Sequence, residues 1–344
     1  MRRREFLRSS ALALAALGTG RTARPALAAP AVISRTKDLI VTSPWPQGAS
    51  GYSDVAFGFT RRLELAFGGR IKCHMETGPA NSIDALNSGG TDLHIGFEHG
   101  NVAHHAAFGF FAGLPGEMGL NAAPFGDWLE ACGGQELWDD CAAPFGIKPL
   151  MLAHTAMSGG LWSKAALPVL SGKRIAAQGI ACDVLKGLGA EVFAVDTNAA
   201  GPAIANGAID AIEMSHIVEA LEAGVAQAAH FAIMPGLTRG GNTLAVSLKR
   251  EPWDALGADA QALVMGVAAD TCQRTTADLR ANDHALRAVL SQANGITFWS
   301  PGPVLATEIT RVAEAVVADI AARDARSRRI NSAYMAFRNR QGSA

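Results

Sequence analysis

From Asp38 onward the chain alternates short apolar runs with helix-length segments, and that alternation limits the available folds more than any other feature. Strands separated by helical segments pair in parallel beneath their crossovers, so the pattern reads as an α/β protein. The strand-like runs are Leu39 to Thr42, Ile71 to Glu76, Leu93 to Phe97, Ile175 to Gln178, Val192 to Val195, Thr243 to Leu248 and Ile296 to Trp299. Ser53 to Phe67 reads as a helix: Ser53 and Asp54 supply N-cap chemistry, and Val55, Phe59, Leu63 and Phe67 share one face. Ala181 to Leu188 and Pro202 to Gly207 read as shorter helices that glycine terminates. Pro303 to about Tyr334 has no internal Gly or Pro and reads as one extended surface helix, with Leu305, Ile309, Val312, Val316 and Ile320 in a stripe. Such a stripe is covered either by the chain's own lobes or by a second copy, so a homodimer through this helix is one of two arrangements. Arg323, Arg326, Arg328 and Arg329 read as its solvated end, favoured there by the helix dipole.

Ahead of this pattern lies a leader. Residues 1 to 28 carry six arginines and one glutamate, with a short apolar run from Ala11 to Leu17 and small residues at Ala26 to Ala28. The run is too brief to span a bilayer, and cleavage is expected after Ala28. Arg3-Arg4-Glu5-Phe6-Leu7 resembles a twin-arginine export signal, which places the mature protein in the periplasm. The remaining chain has 24 basic and 30 acidic residues, an excess of the wrong sign for nucleic acid. With 49% apolar and 18% charged residues over 344 positions, the chain is globular and long enough for two domains.

Most catalytic signatures are missing. The sequence has no GxSxG elbow, P-loop, HExxH pair or strand-linked GxGxxG. Cys73, Cys132, Cys141, Cys182 and Cys272 are odd in number and lack metal spacing; Cys132 and Cys141 are a pair one loop could bridge, or each is a small buried hydrophobe. His94, His99, His104 and His105 cluster in sequence, but adjacent histidines point apart and no Cys or carboxylate stands at ligand spacing.

A set of collinear segments carries the functional reading. Gly133-Gly134-Gln135-Glu136-Leu137-Trp138-Asp139 is followed by Phe145-Gly146-Ile147-Lys148, then Gly159-Gly160, the strand entering Gly179, and Leu185-Lys186-Gly187-Leu188-Gly189-Ala190. Asn206-Gly207-Ala208-Ile209-Asp210-Ala211-Ile212-Glu213, Pro235-Gly236, Trp253-Asp254-Ala255-Leu256 and Ser332-Ala333-Tyr334-Met335-Ala336-Phe337-Arg338 complete the series. In this order they resemble the DctP-type solute-binding proteins of tripartite ATP-independent periplasmic (TRAP) transporters, over essentially the whole mature chain. The resemblance implies a two-lobed α/β receptor that closes over a small organic acid and delivers it to membrane permease subunits. It places lobe one at 37–154 plus 249–300, lobe two at 155–248, and a long C-terminal helix at 303–338.

The ligand-anchoring positions depart from that family. An arginine that forks onto the solute carboxylate corresponds here to Ala176, and a methyl group cannot replace it. Arg174, one pleat back, either reaches the same cleft or is a solvated strand-end charge. Some members hold a metal with a glutamine and two glutamates; those positions are Met157, Glu213 and Arg239, with Met214 where a tryptophan follows. Thioether and guanidinium do not ligate hard cations, so no metal is expected there, and no other cofactor is implied. Arg239 either supplies a fixed cation beside Glu213 or sits on an exposed loop. Cleft tyrosines correspond to His99 and Gly100, with Asn101 next, and a cleft tryptophan to Leu161. Leu161, Met157 and Met214 would make one wall aliphatic, or pack in the core; Trp45 is an aromatic wall or a turn-packing residue.

The resulting expectation is a non-enzymatic receptor for a small monocarboxylate with an apolar body. An exported enzyme using His99 or Glu213 as base, and a partner protein that binds no solute, are the two alternatives.

Overall fold

A computed structural model describes residues 36–48, 51–155, 159–196, 199–237 and 241–341. The leader read over residues 1 to 28, and positions Met157 and Arg239, lie outside the described residues. The strands are β1 (Lys37–Ser43), β2 (Ile71–Thr77), β3 (Leu93–Phe97), β4 (Ile147–His154), β5 (Leu161–Ser163), β6 (Arg174–Ala176), β7 (Glu191–Phe193), β8 (Ala211–Glu213), β9 (Phe231–Ile233), β10 (Thr243–Lys249) and β11 (Thr297–Trp299). They form two sheets, ordered β2-β1-β3-β10-β4 and β11-β9-β5-β8-β6-β7. In the first sheet β1 to β3 run parallel, while β10 is antiparallel to both β3 and β4.

The first sheet is layered as its sequence requires. Helix Gly51–Ala66 buries Phe59 and Leu63 against Val41, Ile95, Leu152 and Val246. The same cluster takes Val264, Ala268 and Leu279 from helix Ala258–Ala293, the longest in the protein at 36 residues. That helix escapes a hydropathy reading because its buried stripe is completed by small and polar residues, Ala268, Thr271 and Thr275. In the second sheet Trp162 and Ile212 meet Ile217 and Ala220 of helix Ile217–Glu222.

Two assignments of chain to lobe change with the sheets. β10 belongs to the first sheet although it falls in 155–248, because Leu244 to Leu248 pair with β3 and β4. β11 joins the second sheet beside β9 although it falls in 249–300, so helix Ala258–Ala293 carries the chain from one sheet to the other.

The C-terminal segment is two helices, Pro303–Arg323 and Ala325–Gln341. Asp324 breaks them apart: its backbone is extended at φ −156° and ψ 170°, and its carboxylate accepts from the Ser327 N–H and hydroxyl. Each helix keeps an exposed outer face and buries one stripe. Ile309, Val312, Val317 and Ile320 are buried in the same core as Ile180, Val184 and Leu185, so the chain itself covers the stripe and a second copy is not needed for that.

The motif segments show why they recur together. Trp138 is fully buried and stacks on Phe111 at 5.4 Å, and the Lys148 ammonium pairs with Asp139. Gly134 packs so close that a Cβ there would lie 2.7 Å from the Trp128 carbonyl oxygen. Tyr334 is 1% exposed; its hydroxyl donates to the Met118 carbonyl at 3.1 Å and accepts from the Leu120 N–H at 2.9 Å. Tyr334→Phe leaves that buried N–H unpaired and is expected to cost about 1–3 kcal/mol. The check is a lower urea midpoint at unchanged m-value.

Candidate functional site

The site forms where the strands of the two sheets end. β3 leads into a helical turn, Glu98–Ala103, whose second residue is His99. The imidazole lies flat on Phe97 at 5.2 Å, and Phe97 meets Tyr52 at 4.9 Å and Trp45 at 5.6 Å, so an aromatic stack fixes its plane. Across the cleft, β6 ends at Ala176 and delivers Gln178, whose Oε1 is 2.5 Å from His99 Nε2. Gly179 makes the approach possible: its φ is +60°, and a Cβ would sit 2.9 Å from that of His99. Burial lowers the His99 pKa to about 4, so the neutral ring donates its Nε2 proton to Gln178.

β8 supplies the floor. Glu213 is its last residue and accepts from the Leu237 N–H at 2.8 Å, followed by buried Met214 and by Ser215. His216 then caps helix Ile217–Glu222: Nδ1 accepts from the Val218 N–H at 3.2 Å, while Nε2 donates to the Leu279 carbonyl. Glu219, at the third helical position, reaches back to accept from the Ser215 N–H at 2.8 Å. Burial raises the Glu219 pKa to about 7, and the Ser215 N–H opposes the rise. One turn on, Glu222 accepts from the Gly51 N–H at 2.8 Å, at the start of helix Gly51–Ala66. The Tyr52 hydroxyl is buried and without a hydrogen-bond partner; burial and the charges of Glu219 and Glu222 hold its pKa well above normal.

His99, Gln178, Ala181, Ile212, Glu213, Met214, Ser215, Glu219 and Asn242 line one pocket with about 30 Å³ open to the centre of a water-sized group. His99 and Asn242 flank strands of the first sheet, and the others come from the second, so the pocket lies between the sheets.

The structure sends other candidates elsewhere. Arg174 does not reach the pocket: Nε and Nη2 bind the two Asp210 carboxylate oxygens at 3.3 and 2.8 Å, and Nη1 the Ala208 carbonyl. Asn101 is 1% exposed and donates to Ser82 and Glu98, which makes it a buried brace. Leu161 pairs in register with Glu213 but its side chain is core, and Trp45 backs the aromatic stack beside a separate surface pocket. Gln178, Ser215, Glu219 and Asn242 were not picked out from sequence. Glu219 had one legible signal, a glutamate at the third position of a helix.

The clustered histidines likewise disperse, His94 to Thr42, His104 to Asp84 and His105 to Asp324. Among the described residues no three His, Cys, Asp or Glu side chains converge as a metal would require.

By sequence, no protein-family model and no curated protein matches this chain. Solved structures do. A TRAP transporter solute-binding protein from Bordetella bronchiseptica RB50, with calcium and picolinate in its active site, superposes at TM-score 0.83 and 19% identity, over 90% of this chain and 94% of that one. A TRAP periplasmic solute-binding protein from Pseudoalteromonas atlantica T6c, with sodium and pyruvate, gives 0.82 at 17% identity, over 90% and 96%. This chain has the TRAP solute-binding fold. A third such protein, the open apo form from Rhodobacter sphaeroides, superposes at 0.66 and 18% identity, over 89% and 98%.

Within this TRAP fold the described pocket side chains that could face a cation are two carboxylates, two amides, a hydroxyl, an imidazole and a thioether, against the about six to eight oxygens that calcium takes. No helix among the described residues is long and apolar enough to cross a membrane.

Proposed function

We propose that this protein is the solute-binding component of a TRAP transporter, working in the periplasm, which captures a small organic acid and presents it to a membrane permease. The observation that carries the reading is a pocket built from both sheets and bridged by hydrogen bonds between them, His99 to Gln178 and Gly51 to Glu222. Such bonds form only when the sheets approach, so solute and closure stabilise one another. Solute-bound structures superpose at 0.72 to 0.82, against 0.66 for an open apo form, which supports a closed arrangement here.

Most solutes named for neighbouring structures, picolinate, pyruvate, pyroglutamic acid and malonate, support an organic acid, with 2-amino-1-propanol in one as the exception, and their description as solute-binding proteins supports capture without turnover. With Arg174 committed to Asp210 and Ala176 offering only a methyl group, Arg239 is the proposed partner of the solute carboxylate. A thermal-shift screen of the purified protein against small mono- and dicarboxylates, with and without chelator, tests the proposal. A true solute at 100 times its Kd stabilises by about 2.7 kcal/mol, a rise of a few degrees for a chain of this size. The expected hit is insensitive to chelator and lost in Arg239→Ala. Silence across the screen, or consumption of the acid, sinks the receptor assignment.

A further inference from the structure

The last helix concentrates a charge that the rest of the chain lacks. Ala325–Gln341 holds Arg326, Arg328, Arg329, Arg338 and Arg340 and no acidic residue, so it takes five of the 24 basic and none of the 30 acidic residues that follow the leader. The helix dipole does not account for them all. Because the chain breaks at Asp324, Arg326 and Arg328 stand in a first turn, the end at which the dipole opposes a cation.

Packing does not account for them either. The helix is held to the core by Ile330, Tyr334 and Phe337. Arg338 donates to the Glu117 carbonyl, and Arg329 meets Asp140 in a pair that is 57% and 58% exposed, an arrangement that adds little stability. Arg328, Arg329 and Arg340 instead stand with Ser332, Ala336 and Asn339 on the exposed outer face, which runs for about 18 Å.

The composition of that face selects its partner. Guanidinium groups match phosphate oxygens both by charge and by paired donors. Between the arginines stand only small or uncharged side chains, with no aromatic group to fill a pocket at the centre of a protein interface. The face also has no apolar stripe to insert into a bilayer, because Ile330, Tyr334 and Phe337 are spent on the core. What remains is adsorption by charge onto a surface of anionic phosphates, with the acidic remainder of the chain turned away.

We propose that the outer face of helix Ala325–Gln341 docks the protein on anionic phospholipid headgroups. The inference rests on the receptor assignment above for its purpose, since a receptor that serves a membrane permease gains from being held at the membrane.

Sedimentation of the purified protein with vesicles tests it, phosphatidylcholine alone being set against an equimolar mixture with phosphatidylglycerol. At low salt, binding to the mixed vesicles is expected to exceed binding to the neutral ones by at least about tenfold, and to vanish at about 0.5 M salt. Arg328→Glu combined with Arg340→Glu is expected to abolish it at an unchanged unfolding midpoint. Arg61→Glu combined with Lys72→Glu, the same change of charge at exposed positions on the first sheet and its helix, is expected to keep most of it. Equal retention by neutral vesicles, no retention by anionic ones, or equal loss in the two double variants overturns the inference. Capture by an immobilised acidic peptide without capture by vesicles overturns it in favour of a protein partner. A missing solute response in the thermal-shift screen, with vesicle binding intact, sinks the receptor assignment and leaves the docking face standing.

Discussion

Glu98→Gln is expected to flatten the fall in stability between about pH 5 and pH 8, and to leave the protein more stable than wild type above pH 8. Glu98 is 1% exposed, at the start of the turn that presents His99. Its Oε1 accepts from Trp138 Nε1 at 2.9 Å and its Oε2 from Asn101 Nδ2 at 3.2 Å. Those donors favour the carboxylate, yet burial outweighs them and pushes the pKa to about 8. In the unfolded chain the same group loses its proton near an ordinary glutamate value of about 4.3. Between the two values the folded state binds the proton and the unfolded state does not. The contribution is therefore complete below the unfolded pKa and is lost as pH rises through the folded one, at up to about 1.4 kcal/mol per pH unit.

Glutamine keeps an acceptor for Trp138 and has no charge to desolvate, so the gap between variant and wild type should widen to a few kcal/mol near pH 8.5 and nearly close at about pH 5. Glu219, with its pKa raised to about 7, contributes in the same direction and remains in the variant. A residual slope ending near pH 7 is thus expected. Urea unfolding at a series of pH values measures the difference; parallel curves for the two proteins would show that Glu98 is not the group responsible.

How much of this was legible beforehand follows from how far each feature depends on neighbours in sequence. Each of the seven strand-like runs overlaps an observed strand, because each is a local run of apolar or β-branched residues. β4 was hidden by Lys148 and Pro149, which interrupt its apolar run and are tolerated because β4 is an edge strand; β5, β8 and β9 went unread although β6, β7 and β11 are equally short. The site was less legible. Glu213, Met214 and His99 do share a pocket, yet Arg174 finds Asp210 and Asn101 finds Ser82, partners 36 and 19 residues away. Residue type stated what those side chains can bind; only the fold decides which partner reaches them first. The helix break at Asp324 was hidden differently: the segment is free of Gly and Pro, and a single capping aspartate interrupts a pattern that otherwise reads as continuous.

Gly241→Ala is expected to be the more disruptive substitution, costing about 3 kcal/mol or more and abolishing the response to solute. Gly241 immediately precedes Asn242, a pocket residue, at the entry to β10. Its φ is +111°, and a Cβ there would lie 1.6 Å from the Thr155 carbonyl oxygen, a distance that no rotamer change relieves because both atoms are fixed by backbone. Its own carbonyl oxygen lies 2.1 Å from where a Cβ on Gly113 would be, so the backbone is closely packed there as well and a shift toward Gly113 meets it. The two chains are also tied together: Thr155 N donates to the Asn242 carbonyl at 2.9 Å, and Asn242 N donates to the Thr155 hydroxyl at 2.7 Å. Any shift that admits the methyl group breaks these bonds and moves Asn242 out of the pocket wall. Gly207→Ala separates the strain of a positive φ from the clash, since Gly207 has φ +74° with nothing within 4 Å. That control should cost about 1–2 kcal/mol, the penalty of a left-handed alanine, and leave solute binding intact. If urea midpoints place Gly241→Ala no lower than Gly207→Ala, or if it keeps the wild-type solute response, then the crossing at Thr155 does not hold the pocket in shape.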